Sequence, residues 1–295
     1  MPMTLADSNL LSLPMMTRGV IDTIVKESRI LQLLPFQDVV GNSYLYNQEL
    51  TMATVEFYAP NDNWNESTLT VQQKVAHLRI LGGNADVDSF LERTYSNVND
   101  LRAVAVQNKA KAVAYAFENT FINGDVIADA NSFDGIAKLV DSAQVITAGG
   151  VNGGQLTLDY MDQLIDLIKP GKPDLMLFSR RSRRKLMSLL RGSGNLFETD
   201  VNNFGQRVEY YAGVPIAIDD FQLDTETVGT SNDCSSIYAM KLGDAGVMGL
   251  TNGGIITEQV GNLPDRDAWR VRIKFYVGLA SKAKYSLARL NGVRG

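Results

Sequence analysis

Residues 101–125 read LRAVAVQNKAKAVAYAFENTFINGD. This stretch belongs to a segment from Ser96 to Ile122 that contains neither glycine nor proline and is rich in alanine, which favours a helix. Apolar residues recur every three or four positions and form one stripe: Val106, Ala110, Val113, Phe117 and Phe121. At ~1.5 Å per residue the predicted helix is ~40 Å long. Asn123-Gly124 is a typical C-terminal stop for it.

An amphipathic helix is predicted near the N-terminus. Thr17 is its expected N-cap, and the pattern ends at Leu34-Pro35 because a residue before proline avoids the helical region. Its apolar stripe follows helical spacing: Val20, Ile21, Ile24, Val25 and Leu31. Two interpretations stay open, an ordinary core helix and an arm that packs on a neighbouring subunit.

Residues 44–81 are predicted to form a long two-stranded ribbon. Residues 44–58 are rich in β-branched and aromatic side chains, and residues 69–81 return with period-two alternation. The tip, residues 59–67, is polar and turn-forming, with Trp64 in the middle. An isolated ribbon with mixed faces is marginal in water. This ribbon must therefore lie on its own chain or on a neighbour.

The glycine-rich stretch 149–154 is the expected internal boundary. Beyond it we expect a helix over 158–168, a short strand over 175–179 and a helix over 180–190. Four short strands are expected after that, near residues 208–211, 215–218, 237–241 and 255–260. The last clear element, residues 269–277, alternates apolar residues with the basic residues Arg270, Arg272 and Lys274.

Composition excludes several function classes. The chain has 295 residues, 33 acidic against 28 basic, and a net charge of −5, which argues against a basic nucleic-acid binder. Cys234 is the only cysteine and His77 the only histidine, so an intrachain disulfide, a multi-cysteine zinc site and a two-histidine metal site are excluded. No apolar run approaches the ~20 residues that span a bilayer, and residues 1–7 lack a signal-peptide pattern. We expect a soluble protein made inside the cell, with no membrane partner.

A search for chemistry finds no active site. The glycine stretches lack the spacing of a phosphate loop. The basic cluster Arg180–Lys185 fans around its helix without interleaved aromatics, which favours a solvated or subunit-facing helix end over a nucleic-acid site. Three acidic pairs lack the extended pattern of a metal loop: Asp219/Asp220, Asp86/Asp88 and Asp265/Asp267. We therefore predict no catalytic, cofactor-binding or metal-binding residue and no cofactor.

Five local motifs follow one another in an informative order. They are FENTFINGD (117–125), FDGI (133–136), LMSLLRGSG (186–194), YAGVPI (211–216) and IYAMKLGD (237–244). Together with the arm, the ribbon and the long helix before them, they make the chain resemble the tailed-bacteriophage major capsid proteins, a fold shared with encapsulin shells. That resemblance implies an α+β phage major-capsid fold. Its parts are an N-terminal arm (1–43), an extended β-ribbon or E-loop (44–83), a peripheral domain (84–150 plus 266–295, with the spine helix at 96–122) and an axial domain (151–265).

The resemblance also implies a function. The chain is expected to be a non-enzymatic structural protein of the virion that self-assembles into the icosahedral head of a bacteriophage and encloses double-stranded DNA without sequence recognition. Its expected partners are itself, in hexamers and pentamers, a separate scaffolding protein, a portal and decoration proteins, with assembly in the host cytoplasm. The alternative is an encapsulin-type nanocompartment. A hydrolase using His77 is a remote alternative, because no GxSxG element accompanies that residue.

Two departures limit what the resemblance implies. Some family members cross-link a ribbon lysine to a neighbour's asparagine, but residues 44–73 contain no lysine and only Lys74 is near. We therefore expect no covalent cross-links. Some relatives also begin with a long charged scaffolding segment, which residues 1–43 do not resemble. Either a separate scaffolding protein assists assembly or the sequence is not the full precursor.

Seven residues are expected at contacts between subunits. Trp64 is a lone tryptophan in a polar tip, and aromatic anchors often dominate interfaces. The others come from the arm helix and the basic strand face: Ile21, Ile24, Leu31, Arg270, Arg272 and Lys274.

Overall fold

The computed structural model describes residues 15–51, 54–66, 68, 70–95, 101–194, 198–201 and 207–294. The helices within these ranges are α1 (Met15–Glu27), α2 (Arg29–Leu33), α3 (Ser89–Tyr95), α4 (Leu101–Asn123), α5 (Ile136–Leu139), α6 (Leu158–Asp166) and α7 (Arg180–Gly192). The strands of the first half are β1 (Phe36–Asp38), β2 (Ser43–Thr51), β3 (Thr70–His77), β4 (Arg79–Asp88), β5 (Val145–Thr147), β6 (Gly154–Gln155) and β7 (Leu175–Phe178). Those of the second half are β8 (Glu198–Val201), β9 (Arg207–Tyr211), β10 (Val214–Ile218), β11 (Glu226–Val228), β12 (Ser231–Met240), β13 (Val247–Asn262), β14 (Ala268–Ser281) and β15 (Leu287–Arg294).

The strands in the described part of the chain form three groups. A four-stranded sheet has the order β1-β13-β14-β4, and β2 pairs only with β3 as a ribbon. A nine-stranded sheet has the path β5-β15-β12-β7-β10-β9-β8, with β11 attached to β12 and β6 to β15. Both sheets supply residues to one apolar core, because Phe275 of β14 and Tyr238 of β12 belong to the same buried cluster.

The long helix α4 forms the centre of that core. The predicted stripe is buried throughout, from Val106 to Phe121, and the ring of Phe117 lies 6.0 Å from that of Phe275. The helix ends at Asn123 as expected, and the backbone N–H of Gly124 donates to the carbonyl of Thr120. The predicted start, residues 96–100, lies outside the described residues.

The arm helix differs from its prediction in two ways. Thr17 lies inside α1, so the prediction that it is the N-cap is wrong. The helix is also broken at Ser28, whose hydroxyl accepts the backbone N–H of Leu31 at 3.2 Å and so caps α2 as a second helix. A serine side chain that caps a new helix explains the break in the apolar stripe.

The ribbon is shorter than predicted. The rising strand ends at Thr51 instead of Tyr58, and residues 54–66 form an irregular loop with a turn at Pro60-Asn61. The returning strand ends at His77, since β4 pairs with β14 and not with β2. Gly82 lies inside β4, where a Cβ would collide with the backbone carbonyl of Ile273. Glycine therefore permits the close approach of β4 to β14.

The C-terminal half contains longer strands than the sequence predicted. β13 spans sixteen residues and β14 fourteen, and they pair along most of their length. Strand β15 was not predicted, yet it lies between β5 and β12 inside the nine-stranded sheet. The predicted axial domain (151–265) contains β13, which belongs to the smaller sheet, and the predicted peripheral domain (84–150 plus 266–295) contains β15, which belongs to the larger sheet. The predicted boundary between residues 265 and 266 therefore does not coincide with the division between the sheets. No helix among the described residues is long and apolar enough to cross a membrane.

Candidate assembly surfaces

The base of the ribbon is fixed to its own chain. Tyr46 and Gln48 are buried on the inner face of β2, and Tyr46 packs into an apolar cluster with Met248 and Leu250. Burial raises the pKa of the Tyr46 hydroxyl. The ammonium of Lys282 lies 5.1 Å from the centre of the Tyr44 ring. These contacts hold the base of the ribbon against β13.

The outer face of the ribbon carries an exposed apolar strip. Leu45 is 56% exposed, and Val71 and Val75 are each 47% exposed. Leu45 lies directly opposite Val75 in the ladder, and Val71 lies further along β3 on the same face. The alternation was predictable from the sequence, whereas the exposed face was not, because it depends on what the base of the ribbon packs against.

The loop at the ribbon's end, residues 54–66, holds its own shape. The rings of Tyr58 and Trp64 stack with centres 4.5 Å apart, and the Tyr58 hydroxyl accepts the backbone N–H of Asn65 at 3.1 Å. The carboxylate of Asp62 accepts the backbone N–H of Ala59 at 2.7 Å. We call these residues the tip loop.

The tip loop is both apolar and acidic. Val55, Phe57 and Trp64 are 95%, 108% and 81% exposed. The loop contains three acidic residues and no basic one: Glu56, Asp62 and Glu66. Large apolar side chains held out in water by an ordered loop are typical of a protein contact surface. Trp64 was predicted to contact a neighbouring subunit. Val55 and Phe57 were missed because residues 44–58 were predicted to form a strand.

The three arm residues are buried inside their own chain. Ile21, Ile24 and Leu31 are 4%, 0% and 0% exposed and pack inside their own chain, in the cluster that contains α4. Their contact with a neighbouring subunit stays a prediction, since these side chains are covered by their own core in the single chain. The core-helix alternative is the one observed, since α1 and α2 cover apolar surface of α4.

The basic side chains of the strand face are bonded to groups of their own chain. Arg270 donates to both carboxylate oxygens of Asp86, at 2.7 and 2.6 Å, and Arg266 donates to the same carboxylate. The Arg270 guanidinium holds the pKa of Asp86 below its ordinary value. Arg272 donates to Asn84 at 3.0 Å, and Lys274 pairs with Glu258. These partners come from adjacent strands, so a count of charges along the sequence did not find them.

The basic cluster at the start of α7 is also paired internally. Arg180 binds Asp220 at 2.6 Å, and Arg183 donates to Glu209 at 2.7 Å. Arg181 donates to the carbonyl of Asp233 at 2.6 Å. These contacts fasten α7 to the turn after β10 and to β9 and β12. The cluster therefore stabilises the fold around the nine-stranded sheet.

The remaining chemical candidates do not come together. His77 is exposed on β3 and borders a cavity of about 130 Å³ with Arg79 and Asp134. Cys234 is buried, and burial raises the pKa of its thiol. Across the described residues, no group of three or more histidine, cysteine or acidic side chains is arranged to hold a metal ion.

Comparisons with solved structures give one consistent answer. The chain is similar to the holo-SrpI encapsulin complex from Synechococcus elongatus, with 19% identity, a TM-score of 0.71 and coverage of 90% of this chain and 87% of that one. It is also similar to the capsid of the native GTA particle (11%, 0.66, 90% of each chain) and to Microbacterium phage Oxtober96 (13%, 0.62, 89% and 90%). No protein-family model and no curated protein sequence matches the chain.

The chain has the phage major-capsid fold. The α+β class expected from the sequence is thereby confirmed. In the terms of this fold, α4 is the spine helix and the β2–β3 ribbon with its tip loop is the E-loop. The exposed strip and the tip loop thus both belong to this ribbon.

Proposed function

We propose that this chain is a structural shell subunit that self-associates through its ribbon. The observation that carries this proposal is the contrast along the ribbon. Tyr46 is buried at the base, whereas Leu45, Val75 and the three apolar residues of the tip loop are exposed. Covering this surface by a neighbouring subunit removes apolar area from water, which is the main favourable contribution in most protein association.

We further propose that the shell is the icosahedral head of a tailed bacteriophage, built from hexamers and pentamers. In this proposal the subunit assembles in the host cytoplasm with a scaffolding protein and a portal, encloses double-stranded DNA without reading its sequence, and becomes part of the virion. Similarity to the phage and GTA capsids supports this version. The internal pairing of its arginines is consistent with a subunit that does not grip DNA tightly.

A nanocompartment that holds protein cargo is the second candidate. The similarity to an encapsulin complex, with a TM-score of 0.71, favours it. Both candidates use the same shell geometry and differ in what the shell contains.

The test is to purify assembled particles from cells and analyse their contents. DNA that survives nuclease treatment of intact particles supports the phage version, and a co-purifying protein enclosed in the particles supports the nanocompartment. Failure to form particles with or without a co-expressed scaffolding protein would contradict both.

A further inference from the structure

The chain contains four Asn-Gly pairs, which begin at Asn123, Asn152, Asn252 and Asn291. In such a pair the backbone nitrogen of the glycine can attack the side-chain carbonyl carbon of the asparagine, because glycine has no Cβ to hinder the approach. The bond from that carbon to the side-chain nitrogen breaks, ammonia leaves with the proton of the attacking nitrogen, and a cyclic imide forms. Water then opens the imide and leaves aspartate or isoaspartate. The attack needs a side chain and a backbone that are free to turn, so the fold decides which pair reacts.

The pair at the end of α4 is fixed in place. The side-chain amide of Asn123 donates to the carbonyl of Phe221 at 2.9 Å and to the side chain of Asn119 at 3.0 Å. The backbone N–H of Gly124 donates to the carbonyl of Thr120 at 2.8 Å. Because the side chain and the attacking nitrogen are both held, the end of α4 must open before the imide can form.

The pairs at Asn152 and Asn291 are also held. The side-chain oxygen of Asn152 accepts the backbone N–H and the hydroxyl of Thr230, at 3.1 and 3.2 Å. The backbone N–H of Gly153 donates to the carbonyl of Gly150 at 3.1 Å. Asn291 belongs to β15, which lies between β5 and β12 inside the nine-stranded sheet. The first of these pairs must break local bonds before it reacts, and the second must leave a sheet.

The pair at Asn252 lies outside the strand ladder. The register between β13 and β14 shifts between Thr251 and Ile255, so residues 252–254 form a bulge. Gly253 has a φ of +72° there. Backbone that has already left the ladder can turn without breaking the pairing of the strands on either side.

Few contacts restrain the reacting groups of this pair. Asn252 is exposed, and no hydrogen bond to its side-chain amide is present in the described part of the chain. The backbone N–H of Gly253 donates to the carboxylate of Asp38 at 3.0 Å, and Asp38 is itself exposed. The attacking nitrogen is therefore held by one solvated side chain, and the group that it attacks is free.

We infer that Asn252 is a modification site, the asparagine of this chain that converts spontaneously to aspartate or isoaspartate. The conversion adds one negative charge beside Asp38, close to the point where the N–H of Val39 bonds to the carbonyl of Thr251 at 2.8 Å. The reaction takes place within one chain and consumes only water, so it does not depend on the proposed shell function.

Incubation of the folded chain in mildly alkaline buffer, followed by peptide mapping with mass spectrometry, tests the site. Each Asn-Gly pair is a control for the others, since all four have the same two residues. We expect Asn252 to convert ~tenfold faster than Asn152, whose hydrogen bonds must break first. Asn123 and Asn291 should convert at least ~100-fold more slowly, because a helix end or a core strand must open. No conversion at Asn252, or conversion at another pair at the same rate or faster, would overturn the inference.

Two controls separate the effect of the fold from that of the sequence. In concentrated urea all four pairs should convert at similar rates, and dominance of Asn252 in urea as well would show that the bulge does not select it. On anion exchange, the incubated parent chain should gain a more acidic form. Asn252→Gln should abolish this form and Asn152→Gln should retain it. An acidic form that persists in full in Asn252→Gln would also overturn the inference.

Discussion

Replacing Trp64 by alanine tests whether the tip loop is an anchor. The ring is 81% exposed in the single chain, and its only stacking partner in the described structure is Tyr58. A buried tryptophan removes about 200 Å² from water. Four-fifths of that area is still available to a neighbour, which at ~25 cal/mol per Å² amounts to an upper limit of ~4 kcal/mol for each contact. We expect about half of this to be realised after ordering costs, or ~30-fold in the association constant.

The critical concentration for assembly, followed by light scattering, measures this loss. Trp64→Ala should raise it strongly, and Trp64→Phe should raise it less because most of the apolar area remains. Val40→Ala is the matched control, since Val40 is fully exposed but lies outside the ribbon. Unfolding of the single chain should change by less than ~1 kcal/mol, because only the stack on Tyr58 is lost. An unchanged critical concentration for Trp64→Ala would refute the anchor.

Three other predictions address the fold and the interfaces. Gly124→Ala should lower the free energy of unfolding in urea by ~2 kcal/mol or more, because the new Cβ would meet a backbone carbonyl of the facing loop. Gly192→Ala, with open space around it, should be neutral or stabilising. Similar values for both variants would contradict this reasoning. Asp86→Asn should lower the free energy of unfolding by ~1 kcal/mol at pH 7. This difference should vanish as the pH falls through the lowered pKa of Asp86, because an ionised carboxylate with a depressed pKa stabilises the fold only at pH values above that pKa. A difference that persists at pH 2 would show that charge is not its cause. Assembled particles should give a single ~32 kDa band on a denaturing gel, because we expect no covalent cross-links between subunits. Lys74, the lysine nearest the ribbon loop, lies on the inner face of the ribbon opposite Tyr46. A ladder of multimers would contradict this prediction.

The spine helix was predictable from its sequence because its signals agree. The stripe from Val106 to Phe121, the absence of glycine and proline, and the stop at Asn123-Gly124 all point to one element, and the structure has it. The break in the arm helix was harder to foresee. Ser28 interrupts the apolar pattern, but only its capping bond with the backbone N–H of Leu31 turns the interruption into a helix boundary.

The assembly surfaces were predictable only in part. Trp64 was identified because an aromatic residue in a polar turn is conspicuous. The pairing of Arg270 with Asp86 was not predicted, because Asp86 is nearly two hundred residues away in the chain and adjacent only in the sheet. Strand β15 escaped prediction because it lacks alternation, being buried along most of its length between two other strands.

Electron cryo-microscopy of the assembled protein, at a resolution that shows side chains, tests directly whether the ribbon joins subunits. We expect closed shells in which a neighbouring subunit covers the tip loop and the outer face of the ribbon, with Leu45, Val71 and Val75. A protein that stays a ~32 kDa monomer in every condition, or shells in which this surface faces solvent, would contradict it.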